Sequence, residues 1–264
     1  MHFSPVSMQR RHLSRAVLPS RQSLLLSAAP FVLALATLSP ASAQVTINGD
    51  AAPSDPALID GDDDLQIGVN GPGSGTLTIL NGATLANANA YVGLYGAGVG
   101  VVTVSGQDSH WDNRGDVVIG QEGHGTLDVE AGGLVSGGTG SIGAGPGGVG
   151  VVTVTGADGS GTASTLSLRE SLNIGYPGTG TLNVEAGGHV AVGARINVGI
   201  DGLGYVEASY GATLASDDAV IGLYDRGEVI LKSGASWTMP GQLTVGWGDE
   251  GVLRIEDGAS VVSN

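Results

Sequence analysis

The sequence predicts an all-β fold in which about eight short coils stack as a parallel β-solenoid. Three observations predict it. First, a short β-branched run closed by glycine recurs at Ile67-Gly68, Val92-Gly93, Ile119-Gly120, Ile142-Gly143, Ile174-Gly175, Val198-Gly199, Ile221-Gly222 and Val245-Gly246, at spacings of 25, 27, 23, 32, 24, 23 and 24 residues. Second, seven or nine residues past each glycine comes an apolar pair with one residue between: Leu77/Ile79, Val102/Val104, Leu127/Val129, Val152/Val154, Leu182/Val184, Val206/Ala208, Val229/Leu231 and Leu253/Ile255. The intervening residues, such as Thr78, Asp128, Asn183 and Arg254, are mostly polar. That is the period-two alternation of a strand with one wet face. Third, most units close with another short run, such as Thr84-Leu85, Leu134-Val135, Thr213-Leu214 or Ser236-Trp237, after a Gly-bearing turn. Each unit thus reads as three short strands in about 24 residues. A single coil cannot bury its own apolar face, so stability comes from stacking on neighbours. The period is too short for a propeller blade of about 40 residues.

Composition agrees. Glycine supplies 47 of 264 residues, far above the usual ~7 %, and so many glycines would break helices. With no cysteine, disulfides, thiolate zinc sites and thiol nucleophiles are excluded. Glycine does not recur at every third position, which excludes collagen.

The elements follow in order. Residues 1–43 carry Arg10, Arg11, Arg15 and Arg21, then the apolar stretch Leu24 to Leu38, then Ala41-Ser42-Ala43. This is the layout of a secretory signal peptide cut after Ala43. Its removal takes four of the ten Lys+Arg and none of the 25 Asp+Glu, leaving six bases against 25 acids, a net charge of −19. Such a surface repels phosphate backbones, so no nucleic acid is expected as a partner, and anionic lipid is disfavoured for the same reason. Residues 44–64, with Pro53, Pro56 and the acidic run Asp60-Gly61-Asp62-Asp63-Asp64, read as a loop-like leader or N-terminal cap. The repeat domain occupies 65–264. Ser105 to Asn113 and Thr155 to Thr165 lengthen two units and read as corner loops projecting from the rod. The chain stops at Asn264 inside a unit, so a C-terminal truncation is expected.

The runs Gly100-Val101-Val102-Thr103-Val104-Ser105-Gly106, Val117-Val118-Ile119-Gly120 and Gly125-Thr126-Leu127-Asp128-Val129 resemble the repeats of autotransporter (type V secretion) passengers, shared with some exosortase-sorted surface proteins. The resemblance spans about residues 65–264. It implies a right-handed, single-stranded parallel β-helix displayed outside a Gram-negative cell. It also implies an outer-membrane translocator, supplied by a missing C-terminal region or a separate chain, because no aromatic-girdled barrel strands are visible. Passengers on this scaffold include adhesins, proteases and esterases, so the likeness says little about chemistry.

Candidate chemical groups are sparse. Past residue 43 the histidines are His110, His124 and His189, which read as surface turn residues. Ser74 stands in a Gly-x-Ser-x-Gly setting without the strand-to-helix turn of a nucleophile elbow, so no catalytic triad is expected. Asp128, Glu130 and Glu185 fall on outward positions and read as a solvated acidic face. Asp60 to Asp64 do not match a calcium loop, and no cofactor or metal is expected. Arg114-Gly115-Asp116 is an RGD tripeptide and the one candidate adhesion motif. Trp111, Trp237 and Trp247, with Tyr91, Tyr95, Tyr176 and Tyr224, offer stacking surface for sugars. The expected function is a non-catalytic, exported stalk or adhesin on the cell surface or secreted, meeting a host surface or a polysaccharide. The alternative is a secreted β-helical carbohydrate-active enzyme, a polysaccharide lyase or glycoside hydrolase, using Asp128, Glu130 and Glu185.

Overall fold

A computed structural model describes residues 42–263. The signal peptide expected over 1–43 lies outside the described residues, apart from Ser42 and the cleavage position Ala43. Both are exposed, just ahead of the first strand. The described chain is a parallel β-helix of eight rungs, and its only helix is the single 3-10 turn Pro56–Leu58. Each rung contributes one strand to each of three sheets. Sheet B takes the first strand (Leu65–Ile67 in rung one), sheet A the second (Ser74–Leu80) and sheet C the third (Thr84–Asn87). The registers are in line from rung to rung: Leu77, Val102, Leu127, Val152, Leu182, Val206, Val229 and Leu253 form one unbroken ladder.

The recurring glycines do two jobs. Gly68, Gly93, Gly120 and their successors to Gly246 all sit at positive φ, between 69° and 76°, at the corner from sheet B to sheet A, where a Cβ carries a penalty. A second glycine column, Gly75, Gly100, Gly125, Gly150, Gly180, Gly204, Gly227 and Gly251, runs down sheet A. Here space is the constraint: a Cβ on Gly150 would lie 2.2 Å from the Ile119 carbonyl oxygen of the rung before. The corner from sheet A to sheet C is a tight turn with two consecutive positive φ values, as at Asn81-Gly82, Ala131-Gly132 and Ser233-Gly234, the geometry of a type I′ turn.

The interior is a solid column of Leu, Ile and Val. A void beside Leu127 and Val152 measures about 10 Å³, room for one water at most. Each inward side chain hidden in this way contributes roughly 1.5–3 kcal/mol.

Two expectations need correction. Ser105 to Asn113 is not all a projecting loop. His110–Asn113 is a strand of sheet C, in register with Thr84–Asn87 and Leu134–Gly137. Only 106–109 form the corner. Trp111 and Trp237 are likewise not surface platforms: they take inward positions in the sheet C ladder and are 0 % and 1 % exposed. Their indole N–H groups, which must find acceptors when buried, donate to Asn87 Oδ1 at 2.7 Å and Ser216 Oγ at 3.1 Å. The stretch 44–64 contains more than loop. Gln44–Gly49 pairs antiparallel with Ser74–Leu80, and Ala51–Ala52 antiparallel with the first strand of sheet B. The segment 156–164 does bulge between strands Val149–Thr155 and Thr165–Leu168, closed on itself by the bridge Ala157–Ala163.

Candidate functional site

Because the interior is filled, side chains available to a ligand lie on the three outer faces and the corners. On sheet C, alternation turns His110 and Asp112 outward on one strand and Ser136 outward on the next. They meet: His110 Nε2 lies 2.9 Å from Ser136 Oγ, and Ser136 Oγ donates to Asp112 Oδ1 at 2.7 Å. A groove of about 350 Å³ opens beside His110, between corner 106–109 and bulge 156–164. Sequence reasoning missed this trio. The signal was present as an i, i+2 pair with a serine one rung later, legible only once the rungs are registered. Ser136 stands in the middle of the trio, between His110 and Asp112, whereas the order in a Ser-His-Asp triad puts the histidine between the serine and the acid. His189 Nδ1 makes a similar rung-to-rung contact, 2.7 Å from Thr213 Oγ1. His124 is exposed at the start of strand His124–Glu130. Ser74 begins strand Ser74–Leu80, and its carbonyl accepts the Asp50 N–H at 2.9 Å.

The acidic positions of sheet A are outward. Glu130 and Glu185 share a ladder with Thr155 between them, a separation of two rungs, about 10 Å. Asp128 lies between Thr103 and Thr153. Partial burial raises the Asp128 carboxyl above the usual carboxylate range, the neighbouring Glu130 charge adds to the rise, and a hydrogen bond with Thr153 opposes both.

Arg114-Gly115-Asp116 forms the flat corner between sheets C and B. Arg114 pairs with Asp62 across the corner, and its carbonyl accepts from the Arg169 guanidinium. The Asp116 N–H donates to Asn89 Oδ1 at 2.8 Å. The Asp116 side chain is exposed. In the acidic leader, Asp60, Asp63 and Asp64 accept backbone N–H groups of Asp62, Asp60 and Asn89. Among the described residues no group of three or more His, Asp or Glu is placed to hold a metal.

Sheet B carries two grooves. A groove of about 330 Å³ runs over rungs six to eight, with Tyr224 and Trp247 on one side and Arg195, Asp218 and Gln242 on the other. Gly222 and Gly246, at φ 75° and 74°, turn the chain so that the aromatic residues after them stand at the corner. Asp218 is held by the Gln242 N–H at 2.8 Å and by the Arg195 guanidinium at 3.5 Å. The Gln242 bond first, then Arg195, keeps its carboxyl below the ordinary value. A second groove of about 440 Å³ lies further along the same face, lined by Tyr91 and Tyr176 among others. No family model, curated protein or solved structure matches the chain.

Proposed function

We propose that the chain is a non-catalytic, exported β-helical passenger that displays its outer faces and corners at the cell surface, as a stalk or adhesin of a type V secretion system. The observation that supports this most is the filled rod itself. Among the described residues the interior is filled, while three long outer faces and the corners at 106–109 and 156–164 are free to touch a ligand. The signal-like residues 1–43 and the strongly acidic remainder support export, and an outer-membrane translocator is the partner this requires. The order of the contacts at Ser136, with the serine and not the histidine in the middle, supports the non-catalytic part. The RGD tripeptide adds an exposed Asp116, although Arg114 is engaged by Asp62.

Fractionation of the producing cell with protease shaving tests the reading. The chain is expected outside, cleaved by added protease in intact cells, and cell adhesion should fall when its gene is removed. A chain retained in the cytoplasm ends the proposal.

Asp128 and Glu130, two residues apart and both outward on strand His124–Glu130, favour one second reading, a carbohydrate-active enzyme, since glycosidases use two carboxyl groups side by side. Release of reducing or unsaturated sugar ends, lost in Asp128→Asn, would establish it. Silence across neutral and acidic glycans removes it.

A further inference from the structure

We infer that the groove over rungs two to seven, along sheet B and its corner to sheet A, is a docking site for an extended basic segment, rich in Lys or Arg, of a partner protein. The inference rests on the display reading above and gives it a class of partner.

The groove lies along the middle of the rod, with a further rung beyond each of its ends. It consists of two hollows, of about 440 and 270 Å³, that share Pro177 and Asp201. Tyr91 of rung two and Asp225 of rung seven line its two ends. Five rung steps make ~24 Å, the length of about seven residues of extended chain.

Two independent features point to a ligand. The first is Tyr176, 46 % exposed beside the groove, although Leu94 and Ile200, at the same corner position after Gly93 and Gly199, are 4 % and 7 % exposed. Rungs pair with the Tyr176 strand on both sides, so this ring is not bared by an uncovered edge. The second is Gln121. Its side chain lines the groove, and its Oε1, hidden from water, has no hydrogen-bond partner. A buried acceptor left unpaired is costly. Rotation of the amide toward an N–H donor laid in the groove removes that cost.

Charge chooses the donor. Glu122 and Asp201 are exposed on the rim, and no Lys or Arg lines either hollow. Among the described residues five of the six Lys and Arg side chains pair with other carboxylates. The sixth, Arg169, donates to backbone carbonyls. Asp64 and Asp116 extend the negative field to Tyr91: after burial, their charges are what raise its hydroxyl pKa. Tyrosine faces attract ammonium and guanidinium groups, and the N–H donors of those groups suit both Gln121 and the carboxylates. A quaternary ammonium has no N–H to give, and a neutral glycan leaves the carboxylates unmatched. A long open trough holds a chain by several weak contacts at once, more of them than a short free polyamine can span.

The test follows the fluorescence anisotropy of a labelled lysine octapeptide as the full chain is added. Saturable binding is expected, weaker by tenfold or more at about 0.5 M NaCl than at about 0.05 M. Tyr176→Ala should weaken it about fivefold, and Glu122→Gln combined with Asp201→Asn about tenfold. Asp108→Asn combined with Asp257→Asn removes the same two charges from corners between sheets A and C, at positive φ that asparagine tolerates. That pair should leave the affinity within about twofold, and circular dichroism should be the same for all variants. No saturable binding, equal weakening by the two double variants, indifference to Tyr176→Ala, or displacement of the octapeptide by spermine at equal concentration of charge overturns the inference. Its failure is separable from that of the display reading. A chain that binds the octapeptide in this way yet stays in the cytoplasm removes only display, and a displayed chain that does not bind it removes only the groove.

Discussion

The first and the eighth rung hide the same ladder positions to different degrees. At the first rung, Leu77 and Ile79 are 0 % exposed, because Gln44–Gly49 crosses over them antiparallel and packs Val45 and Ile47 against the core. At the eighth rung the equivalent ladder positions are Leu253, only partly buried, and Ile255, 48 % exposed. Strands Gly251–Ile255 and Ser260–Ser263 have neighbours on one side alone. Identical inward residues are therefore hidden or wet according to what covers the rung. Gln44–Gly49 is itself an edge of its sheet, so what differs between the two rungs is the cover over the inward side chains and not the pairing of the edge. The lesson is that burial in this molecule belongs to pairs of rungs and not to a rung.

The largest expected effect breaks the middle against the open end. Leu127→Asp places a charge between two rungs and should prevent folding, a loss of at least about 4 kcal/mol. Leu253→Asp in the same ladder should remove only about 1 kcal/mol, since water already reaches it. Urea unfolding followed by circular dichroism measures both, and equal losses would refute the pairwise account. Next comes backbone clearance. Gly150→Ala drives a Cβ into the Ile119 carbonyl and should cost about 3 kcal/mol. At Gly258 the space is empty and only φ, at +77°, opposes a side chain, so Gly258→Ala should cost about 1 kcal/mol. Third, Ile47→Asp turns the covered end into an open one. A loss of about 2 kcal/mol is expected, with hydrogen exchange quickening in residues 74–80 before any other rung. Uniform quickening along the rod would deny the cap its local role.

The smallest effect concerns charge near the open end. Tyr205 donates to Glu207 at 2.8 Å, and Lys232 sits at 2.8 Å on the same carboxylate. Burial, then the bond to Glu207, raises the Tyr205 hydroxyl to about 12 from 10.0. Its folded value exceeds its unfolded one, so its share of stability is complete below pH 10 and disappears as pH climbs towards 12. That share is about 1 kcal/mol after solvent screening. Stability measured between these pH values should fall less steeply in Tyr205→Phe; an unchanged slope would assign the alkaline loss elsewhere. Glu207 works in the opposite sense. Hydrogen bonds from Lys232 and Tyr205 lower its pKa from 4.5, so its contribution is present above that pH and fades on acidification below it.

The rungs were legible because each needs the same things at the same place: glycine at a positive-φ corner and alternating aliphatics on sheet A. These requirements repeat, and repetition is visible in one dimension. What did not repeat was misread. His110–Asn113 looked like loop because its polar residues carry no aliphatic alternation, yet Trp111 fills the position that Leu85 and Val135 fill in adjacent rungs. Gln44–Gly49 was opaque because an antiparallel cap shares no period with the rungs it covers. The groove of Tyr224 and Trp247 joins residues a full rung apart, and the His110–Ser136–Asp112 contact does the same. Neither neighbourhood exists until register is known.

The amide of Asn87 has a consequence for assembly. Buried at sheet C, it accepts from Trp111 and donates to Asn113 Oδ1 at 2.9 Å, while Asn113 passes a hydrogen bond of 3.1 Å to the Ser136 carbonyl. Aliphatic ladders alone tolerate misthreading, since one coil of Leu and Val lies almost as well on its second neighbour as on its first. An indole and two primary amides do not, because any shift strands polar atoms in an apolar interior. This trio is an index mark near the start of the thread, and an alignment set there is inherited by every coil wound after it.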